Sequence, residues 1–439
     1  MPQPSRGHLL RLLGVGFGVA VGFGEVIGSG ILRSPSFIAG TVHAFWPIIA
    51  LWCLGAINAL LSANIVVELG TSVPRAGGPY VFAHRAFGDA GGLIVGWTVF
   101  SSHSAGSAAA SVVFADYFLP LAIPATQGHE AAVAVGLQAL LYATNIAGLR
   151  EGSVMQGATS ILKAMLLFGF VFAAAWLVPS KGAAALTAMQ PIGFAALIGA
   201  YQLIKGAYTG WDAAIYFSEE SVAPSRSLPR AVFIGIAVTA FLYVAVNAML
   251  LHVLGIAGTA SSSLPFATVL SRVAGPGASL LFALGGMIIV IGCANANIML
   301  APRVLYALGR DRLLPGMFES VNAGGSPYVA FLLSAVVSMA LASTGAFALV
   351  FGLIATLSTM AAVIVEISYF VVRWREPNLI RPYRAILHPW LPALALAVDI
   401  VLLVLFAAHD HKGALVAAGM CALCIPLAFL ARRARAATV

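Results

Sequence analysis

An all-α polytopic membrane protein of about 12 transmembrane helices, built on an inverted repeat, is what this chain's residues prescribe. Three observations lead there. Of 439 residues, 61% are hydrophobic and only 9% charged, against about 25% charged in a soluble domain, and the mean hydropathy is +0.98. The apolar residues gather into runs long enough to cross a bilayer. Two of those runs, the first and the sixth, are interrupted by glycines beside charged side chains.

A span needs about 20 apolar residues at a rise of 1.5 Å each. Such runs cover 9–32, 45–69, 90–120, 130–147, 153–177, 192–216, 231–254, 278–306, 327–343, 346–372, 389–408 and 412–431. The Lys and Arg between them set the orientation. With the N-terminus in the cytoplasm, 17 of the 23 basic residues fall in cytoplasmic segments. Four (Arg33, Lys181, Arg272 and Lys412) lie on the other side, and Lys163 and Lys205 lie within spans. A multi-pass protein of the cell (plasma or inner) membrane with both termini cytoplasmic is therefore expected. The net charge of +8 is dispersed between apolar runs, so no nucleic acid partner is expected. The basic tail MPQPSRGHLLRLLG runs straight into a long span with no small-residue cleavage site, so no removable signal peptide is expected.

In the first span five glycines (Gly18, Gly22, Gly24, Gly28 and Gly30) lie close to the carboxylate of Glu25. Each glycine costs a helix about 1 kcal/mol against alanine, and an intramembrane acid is usually functional. Backbone outside a helix at that depth is tolerated only when packed in protein or facing a wet cavity. The helix is thus expected to break near Gly28-Ser29-Gly30. The sixth span mirrors it, with Gly206 and Gly210 flanked by Lys205 and Asp212. Paired broken helices at matching positions of two halves point to an inverted-repeat transporter with a midplane site.

Other polar groups are weaker signals. Cys53, Cys293, Cys421 and Cys424 all lie in apolar segments, which argues against a disulfide framework, and Cys421-x-x-Cys424 lacks a histidine partner. No metal, cofactor or catalytic residue is expected. His103, among Ser101, Ser102 and Ser104, reads as a helix–helix hydrogen bond or a pocket wall. Asn295 and Asn297 are placed to face Lys163. Glu366 and Asp399 are intramembrane acids without an obvious partner.

Four stretches, in order along nearly the whole chain, resemble the amino acid–polyamine–organocation superfamily of permeases. Gly24-Glu25-Val26-Ile27-Gly28-Ser29-Gly30-Ile31 is similar to that family's first-helix break. Glu68-Leu69-Gly70 with Pro74-Arg75-Ala76-Gly77-Gly78-Pro79-Tyr80 resembles its first cytoplasmic loop. Gly206-Ala207-Tyr208-Thr209-Gly210-Trp211-Asp212, with Ser218-Glu219-Glu220 and Arg226-Ser227-Leu228-Pro229-Arg230-Ala231, resembles its sixth-helix break and following loop. Arg303 through Asp311-Arg312-Leu313-Leu314-Pro315 resembles the loop after helix eight.

The resemblance implies a five-plus-five inverted fold: a first repeat over 9–178, a second over 192–373, and two additional helices over 388–431. It also implies an amino-acid-like or amine substrate between helices one and six. Ile27, Gly28, Ser29 and Gly30 would then offer N–H groups at a half-helix N-terminus to a carboxylate. Gly206, Ala207, Tyr208, Thr209, Gly210 and Trp211 surround the second break, with unwound carbonyls from Gly206 to Thr209 facing an ammonium group. Lys163 matches a fifth-helix lysine of proton-coupled or exchanging relatives, where the ammonium stands in for sodium. Many mammalian relatives pair with a glycoprotein through an extracellular cysteine; the loop near 119–131 has none, so no such partner is expected.

Three residues depart from that family pattern. Glu25 stands where a small or apolar residue is usual, and is read as pairing with Lys163 or as binding a proton or cationic group. Gly206 replaces a bulky aromatic gate, with Tyr208 or Trp211 as compensating residues. Lys205 is placed to repel cationic solutes or to face an external vestibule. The reading is a sodium-independent secondary transporter, by proton symport or exchange, with protons and the lipid bilayer as its other partners.

Two other classes compete with it. A transporter-like sensor would ordinarily carry an appended soluble domain. An intramembrane serine hydrolase, with Ser29 and His103 or His252, lacks a G-x-S-x-G turn.

Overall fold

A computed structural model of the chain describes residues 14–75, 77–147, 149–177, 192–218, 221, 223–322 and 326–426. The start of the first span at 9–13, Lys181, Glu219, Glu220 and the arginines beyond 426 lie outside the described residues, as do both termini. Among the described residues every element is a helix. The first candidate span forms α1 (Val15–Val26) and α2 (Ser29–Val42), followed by α3 (Phe45–Ser72) and α4 (Pro79–Val113). α4 passes through a π turn at Phe114–Phe118 into the short α5 (Leu119–Ala122). Then come α6 (Glu130–Ala147), α7 (Leu149–Leu177), α8 (Phe194–Tyr208), α9 (Ala213–Tyr216) and α10 (Pro224–Ser261). The chain closes with α11 (Pro265–Ala274), α12 (Pro276–Arg310), α13 (Tyr328–Ala342), α14 (Phe347–Arg375), α15 (Trp390–His409) and α16 (His411–Ala422).

Local chemistry sets many of these boundaries. Prolines at the first turn start α4, α10, α11 and α12, where the missing N–H would have had no intrahelical acceptor. Asp410 caps α16 by accepting from the Gly413 N–H at 2.8 Å. Among the described residues, all twelve candidate segments coincide with helical segments. Seven described helices are by themselves long and apolar enough to cross a membrane. The two broken helices fall short by being divided, and α6, α13 and α16 are apolar but shorter. The protein is therefore a multi-pass membrane protein.

α4 is the central post, packed between α12 and α14. Its middle, Ser101 to Ser111, is all buried and small apart from His103, which lets neighbouring backbones approach as small residues do in membranes. Glycines serve the same end on α1: Gly18 faces the Ala231 Cβ of α10, and Gly24 faces Ser160 and Gln156 of α7. The outer rows are apolar and exposed, including Ile161, Phe168, Phe172 and Trp176 on α7 and Leu394, Val401 and Val404 on α15. Such rows suit contact with lipid.

Candidate functional site

α1 stops at Val26. Ile27 (φ −78°, ψ 99°) and Gly28 (φ −152°, ψ −143°) leave the helix, and α2 begins at Ser29. The break sits at Ile27-Gly28, slightly earlier than the expected Gly28-Ser29-Gly30, so Ser29 and Gly30 form the first turn of α2. The N–H groups of that turn have no intrahelical acceptor. Gly28 is needed for proximity: a Cβ there would come within 2.8 Å of the Cys293 Cβ.

The second break also differs in position. α8 stays helical through Gly206, Ala207 and Tyr208; Thr209 is extended (φ −63°, ψ 140°), and Gly210 takes φ +108°. The expected unwinding at Gly206–Thr209 is thus displaced to Thr209–Asp212. The last turn holds together because the Thr209 N–H donates to the Gly206 oxygen at 3.2 Å and the Tyr208 hydroxyl donates to the Trp52 carbonyl at 3.1 Å. Only Gly210 has a conformation that a side chain disfavours. The closing turn of α8 still ends in carbonyls without intrahelical donors.

Two residues that the sequence gave no reason to single out join the breaks. The Tyr243 hydroxyl of α10 lies 2.8 Å from the Val26 oxygen and 3.0 Å from the Ala207 oxygen, tying α1 to α8. Phe351 of α14 packs over both glycines: a Cβ at Gly30 would meet its ring at 2.8 Å, and one at Gly206 at 3.0 Å. The space that Gly206 leaves is therefore filled from α14. Tyr208 and Trp211 instead turn toward a different cavity. Phe351 continues a stack through Phe347 (5.0 Å) to Phe37 of α2 (6.0 Å), with the Arg33 guanidinium 4.3 Å above the Phe37 ring.

Glu25 does not pair with Lys163. The Gly24 carbonyl, in the last turn of α1 where carbonyls lack intrahelical donors, faces Lys163, while the Glu25 side chain faces α4. The Lys163 ammonium, wholly buried, donates to the Gly24 oxygen at 2.6 Å. Glu25 Oε1 lies 3.0 Å from His103 Nδ1, and its Oε2 is buried with no hydrogen-bond partner among the described residues. His103 Nδ1 also lies 3.1 Å from Asn297 Oδ1, whose amide nitrogen is committed to the Cys293 carbonyl. Facing two oxygen acceptors, Nδ1 carries the hydrogen, and Nε2 is left to meet the Tyr216 hydroxyl at 3.3 Å. Asn297 thus faces His103 rather than Lys163, and Asn295 is held by Asn145 at 2.8 Å.

Two cavities meet at the breaks. The smaller spans about 390 Å³ of space, part of it open, and is lined by Glu25, Gly28, Ser29 and Gly30 on one side, Gly206, Ala207 and Thr209 on the other, and Cys293 and Phe351. The larger, about 780 Å³, runs from Thr209–Asp212 between α3, α4 and α14 to Pro79 at the start of α4. They share Ser102, His103 and Thr209. Lys205 lies on the larger cavity's wall and is paired with Asp399 at 3.0 Å, so it does not stand free at a vestibule.

Comparison with known proteins gives the family. The model of a family described as amino acid permease matches residues 18–429. The chain belongs to the amino acid permease family. This permease is 26% identical to the branched-chain amino acid permease BcaP of Bacillus subtilis, over 78% of its own length and 77% of that protein's. It is 24% identical to the serine/threonine exchanger SteT of the same organism, over 89% of each chain. It is also 24% identical to the human large neutral amino acids transporter small subunit 2, over 81% of its own length and 68% of the relative's. The family and these relatives are transporters, so the permease is not an enzyme.

Proposed function

We propose that the permease moves a neutral amino acid, or a closely related amine, by alternating access, without sodium. The observation that carries this is the pair of interrupted helices facing each other across one small cavity. The first turn of α2 directs N–H groups without intrahelical acceptors, and the positive end of its dipole, at a substrate carboxylate. The end of α8 offers the carbonyl end of a dipole to the ammonium. The flanking volume of the larger cavity takes the side chain.

Lys163 supports sodium independence, since its ammonium occupies the Gly24 carbonyl oxygen, a ligand of the kind a cation would need. Packing supports the inverted repeat. If 9–178 and 192–373 are the two halves, with 388–431 added, then α3 and α10, α4 and α12, and α6 and α13 are equivalent helices. Each of these pairs is in contact, as equivalents beside a two-fold axis must be. On that reading the twelve segments are twelve crossings and both termini are cytoplasmic. The larger cavity then leads toward the cytoplasm, while the Phe37–Phe347–Phe351 stack closes the outside. No glycoprotein partner is part of this proposal.

Uptake and counterflow in proteoliposomes across an amino-acid panel, with and without a pH gradient, test it. The wild type is expected to take up a neutral amino acid without sodium, and Lys163→Ala is expected to lose pH dependence. Sodium-driven uptake would overturn the reading, and unchanged pH-driven uptake in Lys163→Ala would remove Lys163 from coupling.

A further inference from the structure

A second polar cluster lies on the larger cavity's wall, where α3, α8, α14 and α15 meet, and the binding geometry above makes no use of it. Lys205 Nζ is 3.0 and 3.2 Å from the two carboxylate oxygens of Asp399 and also donates to Asn58 Oδ1. Asn58 Nδ2 donates to Asp399 Oδ1 at 2.8 Å. Ser62 Oγ donates to Glu366 Oε1 at 2.9 Å and lies 3.5 Å from Asp399 Oδ2. Glu366 and Asp399 are both 0% exposed, and Glu366 Oε2 has no hydrogen-bond partner among the described residues.

The charges do not balance: two carboxylates share one ammonium. A carboxylate removed from water without a partner is strongly disfavoured, and neighbouring carboxylates resist ionising together. Asp399 holds the ammonium and an amide, whereas Glu366 holds one hydroxyl. Other ionisable groups do not supply the missing charge. Tyr201 of α8 is neutral, and Glu68, further along α3, is committed to Arg373 and Arg381. Across the cavity stand His103 of α4, already engaged by Glu25, with Asp212 just before α9 and Tyr216 at its end.

We propose that Glu366 is a proton-binding site, its proton exchanging with the larger cavity, and that Lys205 ties its occupancy to the position of α8. Lys205 sits in the last turn of that half-helix, where its carbonyl accepts from the Thr209 hydroxyl at 3.2 Å. Loss of the proton leaves a second carboxylate beside Asp399, which competes for the ammonium and so pulls on the end of α8. Only this link to α8 movement rests on the transport reading.

Infrared difference spectroscopy of the full-length protein in liposomes reads the protonated carboxyl directly by its carbonyl stretch. At neutral pH the wild type is expected to show this signal and Glu366→Gln to lose it. Lys205→Met, which leaves both acids without a cation, is expected to gain a second protonated carboxyl. The same signal in all three proteins overturns the proposal, as does its retention in Glu366→Gln alone. Should Glu366→Gln fail to fold, an unchanged signal in Lys205→Met overturns it instead. Counterflow of radiolabelled L-leucine and L-serine in the same liposomes tests transport separately, and its absence would leave the infrared result standing.

Discussion

Gly210 and Glu25 are the residues on which the site's shape turns. Gly210 combines φ +108° with a position where a Cβ would lie 2.7 Å from the Glu25 Cγ. Gly210→Ala is expected to destabilise the protein by roughly 1–3 kcal/mol, the usual cost of a residue held in a disfavoured backbone region. Thermal unfolding in detergent checks this, and a wild-type midpoint would contradict it. Glu25→Gln preserves shape but removes the charge facing His103. Hydrogen bonds to charged groups contribute about 1.5–3 kcal/mol, so initial uptake is expected to fall about tenfold or more. Unchanged uptake would show that the charge is structural only.

At the scale of elements, one hydroxyl holds two half-helices. Tyr243→Phe leaves the Val26 and Ala207 carbonyls without that donor. The expected loss is about 1–3 kcal/mol for unsatisfied buried groups, together with slower uptake, read by thermal unfolding and initial rates. The first break was legible because its glycines and Glu25 crowd a single apolar run. The second was placed too early because Gly206 and Gly210 look alike in a sequence, yet only Gly210 has a backbone need. Gly206 answers to Phe351, which comes from a helix 145 residues further on. His103, Tyr243 and the Lys205–Asp399 pair likewise depend on partners far apart in the chain, which periodicity does not report.

Across the whole molecule, the end of the bundle bearing the α3–α4 loop is held by charged clamps. Buried Glu68 accepts from Arg373 at 2.8 and 2.7 Å and from the Ala385 N–H at 2.6 Å, and lies 3.2 Å from Arg381. This joins α3, α14 and the loop after α14. Removing one partner of a buried pair costs about 3–5 kcal/mol, so Glu68→Ala is expected to lower the unfolding temperature more than any surface substitution. Nearby, the Arg85 guanidinium holds the Glu376 carboxyl below its ordinary value. That partly exposed pair is weakened only as acid protonates Glu376, and it is worth about 0–1 kcal/mol. An Arg85→Gln variant is therefore expected to melt close to wild type. The membrane class, the helical segments and the neighbourhood of the two helix breaks were legible because hydropathy and glycine spacing are local.

The proposed binding mode has the two half-helices gripping opposite ends of a zwitterion. The decisive measurement is competition against uptake of a transported amino acid by its methyl ester and by its N-acetyl derivative. The unmodified amino acid is expected to compete and both blocked forms to fail. Competition by either blocked form as effective as that of the parent would contradict it.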